Sequence, residues 1–379
     1  VRQTAGVVRR RVETSTWAVR LLRTRVHAVT ADEPTLEAAL NAAADPDVQD
    51  LARTERMLAE VRRDRDAARH ALKASRGEVA DLIAQRDLIQ SITDLDPRPP
   101  KWLTPKKAPS AHHATVCTIL SDSHFDEVVN PDEIGGVNAY DRDIATLRLR
   151  RYFDQVCTVS RDYMAGVTFD GAVCMLGGDL VSGDIHEELK ETNATSTLNT
   201  VLYYSELIAA GIGQLADEFG KVHVPVVVGN HGRRTRKPRA KGRAQDNFDW
   251  LIGQMVAREF RRDDRVTFDI PDGANTLVPV YGTTFRLEHG DSARGGSGWM
   301  GVLGPAMRRD QKVRSVAQDT DRPYDHLVIG HWHRLSWLGN VIVNGSSKGY
   351  DEYASIEGFS FEPPQQAMWL TTPERGVTM

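Results

Sequence analysis

Five apolar, β-branched runs in this chain end, one after another, in Asp, His or Asn. Thr115–Leu120 leads into Ser121-Asp122-Ser123-His124, Gly171–Leu176 into Gly177-Gly178-Asp179, and Val222–Val228 into Gly229-Asn230-His231. Thr283–Glu288 leads into His289-Gly290-Asp291, and His326–Ile329 into Gly330-His331-Trp332-His333. Short apolar runs bounded by Gly and polar turn residues read as buried strands. In an open α/β sheet, ligands collect at the carboxyl ends of such strands. Taken singly, a Gly-Asp is most often a turn and a lone histidine a satisfied core or surface residue. Five in order put carboxylate, imidazole and amide oxygens on one edge, a donor set able to hold two divalent ions about 3.5–4 Å apart for an in-line phosphoryl displacement.

Between these runs lie helical patterns. Tyr140–Val159 is amphipathic, with Ile144, Leu147, Tyr152 and Val156 on its inward line, and Ser196–Phe219 and Phe248–Phe260 follow the second and third strands. Further strands are expected at Leu335–Val343 and Gln366–Thr371. Strands alternating with helices at first, and dominating later, predict a layered α/β sandwich.

Ahead of this region the pattern is helical from Val1 to about Asp96, rich in Ala, Arg, Glu and Leu. Apolar residues recur at heptad spacing on two lines, Leu51, Leu58, Leu72, Val79 and Val61, Ala68, Leu82, Ile89, interrupted by Thr54, Arg65 and Ser75. This is an imperfect coiled coil or one arm of a helical hairpin. It serves a homo-oligomer or a protein partner, or packs on its own domain. Asp96-Pro97-Arg98-Pro99-Pro100-Lys101 stops helix formation, because each proline removes a donor and restricts the residue before it. The expected division is therefore a helical, partly coiled-coil region at 1–96, a Pro-rich linker at 97–113 and a catalytic domain at 114–379.

With 379 residues there is ample length for a full core, and no apolar run approaches the roughly 20 residues of a membrane span. Val1-Arg2-Gln3-Thr4-Ala5 lacks the apolar core of a signal peptide, and the three cysteines show no metal-type pairing, so a cytoplasmic protein with no membrane role is expected. A net charge of -4 argues for no polyanionic partner, but the cations are concentrated: Arg233, Arg234, Arg236, Lys237, Arg239, Lys241 and Arg243 follow His231 with no acidic residue among them.

The ordered set D-x-H, G-D, G-N-H, H, G-H-x-H resembles the calcineurin-like metallophosphoesterases over about Thr115–Val343. Among members, DNA-repair nucleases and phage-like phosphoesterases are the most similar. The resemblance implies an α-β-β-α sandwich and a hydrolase with two divalent ions, manganese foremost and iron or zinc as alternatives. It implies Asp122, His124 and His333 as ligands of one ion, Asn230, His289 and His331 as ligands of the other, and Asp179 as the shared carboxylate. It further implies a water or hydroxide between the ions as nucleophile, and His231 as the catalytic non-ligand histidine at the phosphate or leaving oxygen. Many members carry an acidic residue directly after G-N-H, where this chain has Gly232 and Arg233. That leaves the ligand set complete and the substrate open.

The basic loop beside a phosphate-cleaving centre suits a row of phosphates, and a nucleic acid is the simplest such substrate. Arg233, Arg234, Arg236 and Lys237 are its candidate contacts; the alternative is a solvated basic loop. His186 is a further candidate, for substrate or for support of a ligand, with Asp184 expected to cap the helix that starts there. Asp291 is a candidate for orienting a ligand, Trp332 for stacking a base or filling core. Arg308, Arg309, Lys312 and Arg314 form a second cationic patch behind the Gly-rich 295–304 segment, which is a flap or a connecting loop. The expected activity is phosphodiester hydrolysis in nucleic acid. The alternatives are a small-molecule phosphoesterase acting on cyclic nucleotides or nucleotides, a protein phosphatase, and a non-enzymatic nucleic-acid-binding or assembly module.

Overall fold

The computed structural model describes residues 46–92, 112–164, 166–293 and 303–378. The chain divides into two compact units between Ser91 and Ile92. The first contains α1 (Pro46–Ile92), a helix of 47 residues. Its composition favours that state: Ala, Leu, Arg and Glu lose little rotamer freedom in a helix, and a proline is tolerated in the first turn. Leu58, Val61, Leu72 and Val79 on the heptad lines are all exposed. The helical reading of residues 1–45 and the Pro-rich boundary at 97–111 lie outside the described residues.

In the second unit, β1 (His113–Leu120), β2 (Thr168–Leu176), β3 (Val222–Pro225) and β4 (Val266–Asp269) run parallel, and β10 (Met368–Thr372) and β11 (Gly376–Thr378) extend them antiparallel. The order is β11-β10-β1-β2-β3-β4. A second sheet contains β5 (Asn275–Val280), β6 (Thr283–Glu288), β7 (His326–Ile329), β8 (Ser336–Leu338) and β9 (Val341–Val343) in the order β5-β6-β7-β9-β8. β1 is buried along almost its whole length, as expected of a central parallel strand covered on both faces.

Alternate residues sort the core into layers. From β1, Val116 and Leu120 pack with α2 (Arg142–Thr158), α4 (Thr197–Phe219) and α5 (Phe248–Glu259), through Leu149, Phe153, Tyr204, Ile208, Ile212 and Ile252. Cys117 and Ile119 point the other way, meeting Val278, Phe285, Leu287, Val328 and Ile342 of the second sheet. The outer face of that sheet, with Leu327, Ile329, Val341 and Val343, is covered by Ala306, Val313 and Ala317 of α6 (Leu303–Asp319). The result is the α-β-β-α sandwich. Gly211 lets α4 and α2 approach closely, since a Cβ there would lie 2.1 Å from the Phe153 ring.

Several details differ from the sequence reading. Leu147 is 62% exposed, because the inward line of α2 runs through Ala145, Leu149, Phe153 and Val156. The run Leu335–Val343 is a hairpin, β8 and β9, turning at Gly339 with φ of 60°. β4, β5, β11, α6 and the short α7 (Glu352–Ile356) were not expected; β4 has only 4 residues and α6 is mostly polar. Among the described residues no helix is long and apolar enough to cross a membrane.

Candidate metal centre

The carboxyl ends of β1, β2, β6 and β7, with the segment beyond β3, meet on one edge of the sandwich. Backbone hydrogen bonds tie the loops together: Asp122 N donates to Gly178 O (3.0 Å), His124 N to Asp179 O (3.1 Å), and Gly330 N to His289 O (2.9 Å). Asp122, His124, Asp179, His331 and His333 all adopt left-handed backbone, with φ between 45° and 71°. That region is uncommon for residues with a Cβ and concentrates at functional sites.

Three groups of donor atoms converge there: Asp122, His124 and His333; Asp179, His289 and His331; and His124, Asp179 and His231, each with its atoms within 4.8 Å of one another. His124 Nε2 lies 3.0 Å from His333 Nε2, His333 Nε2 3.6 Å from Asp122 Oδ1, and His289 Nε2 2.9 Å from Asp179 Oδ2. The first group contains the three residues expected around one ion; the second contains His289 and His331, expected around the other, together with Asp179. Asn230 presents a buried side-chain oxygen with no hydrogen-bond partner. Buried polar atoms are nearly always partnered, so this oxygen, on the residue between Gly229 and His231, which both touch Asp179, fits a divalent cation. The mixture of nitrogen and oxygen donors suits manganese, iron or zinc.

Without an ion, the electrostatics suit ligand duty at three histidines and oppose it at His289 and Asp122. Burial, with Lys348 and the neighbouring histidines, holds His124 well below the usual histidine range. Burial and His289 bring His331 down to about 4, and burial with Lys348 brings His333 down to about 3. These rings are neutral, as metal ligation requires. Burial alone would raise Asp179, but His289 and His231 hold it well below the carboxylate range. Burial opposes a charge on His289, yet Asp179 and Asp122 lift it to about 10. Its Nδ1 faces the carbonyl of Gly177 at 2.9 Å, an acceptor only, so Nδ1 carries a proton and Nε2 turns to Asp179. Burial, reinforced by Asp179, pushes Asp122 up to about 7.

Residues that the sequence reading did not single out hold this arrangement. Asp249, in the first turn of α5, accepts from the backbone N–H of Asp179 (3.0 Å), Leu180 (3.0 Å) and Gly229 (2.9 Å), binding two ligand loops to one helix. Burial and the nearby Asp179 raise it to about 6. Ser346 Oγ donates to Asp122 O (2.6 Å), and Asn344 Nδ2 to Ser121 Oγ (2.8 Å), whose hydroxyl in turn meets Asp122. Asn344-Gly345-Ser346 follows β9 just as the other polar turns follow their strands, which is the signal that could have found it.

His231 Nδ1 lies 2.9 Å from Ser182 O and its backbone N–H donates to Asp179 Oδ1 (2.6 Å). The carbonyl fixes the proton on Nδ1, leaving Nε2 beside the donor groups. His186 stands with its ring 5.7 Å from that of His231. Asp184 accepts from Thr197 Oγ1 (2.9 Å) and does not cap α3 (Glu187–Thr192), whose first flanking residue is His186.

In the basic loop, Arg233 donates to three carbonyls, Asn230 O (2.8 Å), Thr235 O (3.0 Å) and Arg236 O (3.4 Å). It therefore pins the loop beside Asn230. Arg234 and Arg239 face Asp246 at 3.5 and 3.9 Å, Arg236 faces Glu187 at 3.8 Å, and Lys237 is exposed. Arg243 meets Asp291 at 2.7 Å, beside His289 and His331. In the second patch, Arg309 pairs with buried Glu288 (2.5 Å) and Arg314 with Asp310 (3.0 Å), so two of its cations are engaged within the fold. Trp332 packs against the α6 layer. The segment 294–302, which holds most of the Gly-rich stretch, lies outside the described residues.

The architecture is a pair of helix-covered sheets with the donor side chains gathered at strand ends. The chain matches no known protein-family model and no curated protein. Among solved structures, a predicted phosphoesterase from Streptococcus pneumoniae TIGR4 is similar at 14% identity, over 70% of this chain and 93% of that one, with a TM-score of 0.28. Vps29 from Entamoeba histolytica, a single mutant, is similar at 12% identity over 70% and 96%, TM-score 0.29. Vacuolar protein sorting 29 from Cryptosporidium parvum is similar at 12% identity over 68% and 86%, TM-score 0.28. Overlap at this level adds nothing to what the site's own geometry says.

Proposed function

We propose that this chain is a two-metal phosphoesterase that hydrolyses phosphodiester bonds in nucleic acid. The observation that carries the reading is the convergence of Asp122, His124, Asp179, His289, His331 and His333 from four strand ends, with the unpartnered oxygen of Asn230 alongside. Asp122, His124 and His333 would hold one ion, Asn230, His289 and His331 the other, and Asp179 both. Manganese is the expected metal, iron or zinc the alternatives. When bound, such a pair supplies Lewis acidity toward the phosphate and acidifies water. The chain's own part is orientation and proton handling: Ser182 O fixes the His231 tautomer, so Nε2 is the atom that exchanges a proton at the leaving oxygen.

The exposed cations Arg234, Arg236, Lys237 and Arg239 support a polymeric substrate. The carboxylate partners of the three arginines stand at 3.5–3.9 Å in water, pairs worth little and readily exchanged for phosphates. The same pairing favours a second reading, a small-molecule phosphoesterase whose loop is already neutralised. Assembly through α1 is part of the proposal, because Leu58, Val61, Leu72 and Val79 are exposed; sedimentation of Leu58→Lys/Leu72→Lys against wild type tests it.

A panel of divalent metals against DNA, RNA, a generic phosphodiester and a generic monoester decides the activity. Manganese-dependent cleavage of nucleic acid, lost in Asp179→Asn and weakened in Arg236→Glu/Arg239→Glu, is expected. Turnover of the small diester alone, unaffected by the charge reversals, selects the second reading. Binding of nucleic acid with no turnover under any metal leaves a binding module.

A further inference from the structure

Behind His124 lies a buried charge cluster that ion binding by itself does not explain. Lys348 is 3% exposed, and its ammonium reaches Glu127 Oε1 at 2.7 Å and also contacts Asp351. A buried ammonium is costly unless its charge is met. Here two carboxylates meet one cation, leaving negative charge over. The second oxygen of Glu127, Oε2, stands 3.4 Å from His124 Nδ1. Both atoms are buried, and neither has a closer hydrogen-bond partner. The other ring nitrogen, Nε2, is the one that faces His333. The local chain explains the placement, since Glu127 N donates to His124 O (3.0 Å) and closes a turn that brings the carboxylate back beneath the ring.

Resting on the two-ion reading above, we infer that Glu127, anchored by Lys348, is a positioning residue for the metal centre: it takes the Nδ1–H of His124 and leaves the Nε2 lone pair aimed at the ion. A carboxylate behind a ligating imidazole fixes its tautomer and raises its basicity, and losing such a partner typically costs about 10–100-fold in metal affinity. Lys348 holds the Glu127 carboxylate in place. Asp351, which accepts from Ala354 N (2.7 Å) to cap α7, ties the cluster to the loop after β9.

Two measurements on the full chain test this: calorimetric titration with manganese, and nitrogen-correlated NMR of the histidine rings in metal-stripped protein. In wild type, His124 is expected as the Nδ1–H tautomer. In Glu127→Gln and Glu127→Asp, its tautomers mix and manganese affinity falls about 10–100-fold. The aspartate retains the charge opposite Lys348 but draws back from the ring, so it decides the matter if the glutamine variant does not fold. An Nε2–H tautomer in wild type overturns the role without recourse to any variant. Wild type that binds no manganese removes the two-ion reading and the role together. Wild type that binds, with folded variants that bind equally and keep the tautomer, overturns the role alone.

Discussion

His124 Nε2 and His333 Nε2 stand 3.0 Å apart although 209 positions separate them in the chain. Two neutral imidazoles that face each other through the same nitrogen can share one proton at most. With Asp122 Oδ1 3.6 Å from His333 Nε2, the lone pairs point into a common space that a cation fills better than a hydrogen bond does.

Asp179, proposed as the carboxylate between two ions, is the first place to test that space. Asp179→Asn keeps an oxygen for the His231 N–H and removes the charge that belongs to two of the three donor groups. Manganese affinity measured by calorimetry is expected to fall more than about 100-fold, beyond the loss of an outer partner, with the circular dichroism of the metal-free protein unchanged. Affinity within a factor of three of wild type contradicts the role.

Asp249 acts on the fold rather than on the ion. Asp249→Ala leaves three buried N–H groups, on Asp179, Leu180 and Gly229, without their acceptor. A loss of about 3 kcal/mol or more is expected in urea unfolding with a chelator present. A change below about 1 kcal/mol would mean that other acceptors replace it.

Gly229 marks how tightly the loops after β2 and β3 approach. A Cβ there would lie 2.1 Å from Asp179 Oδ1 and 2.4 Å from Asp179 N, and the backbone atom cannot swing aside. Gly229→Ala is expected to destabilise by about 1–3 kcal/mol and to weaken manganese binding in the same protein. Gly213→Ala, where the added carbon meets nothing within 4 Å, is the control.

Acid sensitivity has a source far from the ligands. His223 is buried, and burial, only partly offset by its hydrogen bond with Thr267, lowers it to about 4. The unfolded chain binds this proton below about pH 6.5 and the folded chain does not until about pH 4. Its contribution is therefore complete above pH 6.5 and is lost as pH falls toward 4, about 3 kcal/mol in all. Urea unfolding of wild type and His223→Val at pH 7 and at pH 4 should show the difference between them shift by that amount in favour of the variant. A pH-independent difference refutes the assignment.

The cluster of donor residues was legible because strands have ends, and Asp122, Asp179, His289 and His331 each stand within three residues of one, while Asn230 lies five beyond β3. What supports them was not. Asp249 reads in sequence as an ordinary first-turn acid, Lys348 as a surface lysine and Glu127 as loop polarity. Only packing makes them buried partners, a choice that local pattern does not encode. Arg233 shows the reverse, since a cation next to a catalytic histidine reads as a phosphate contact, while the turn it closes spends its guanidinium on three carbonyls. Leu147 was misplaced by a small rotation of the helical face, and β4 was too short to show a period.

Five of the expected ligands sit in backbone conformations that a side-chain-bearing residue seldom chooses. Folding, driven by cores elsewhere in the sandwich, meets that expense before any occupant arrives. An arriving cation therefore has little disorder to quench, and its selectivity is set by how far these stiff turns will yield to ions of different radius.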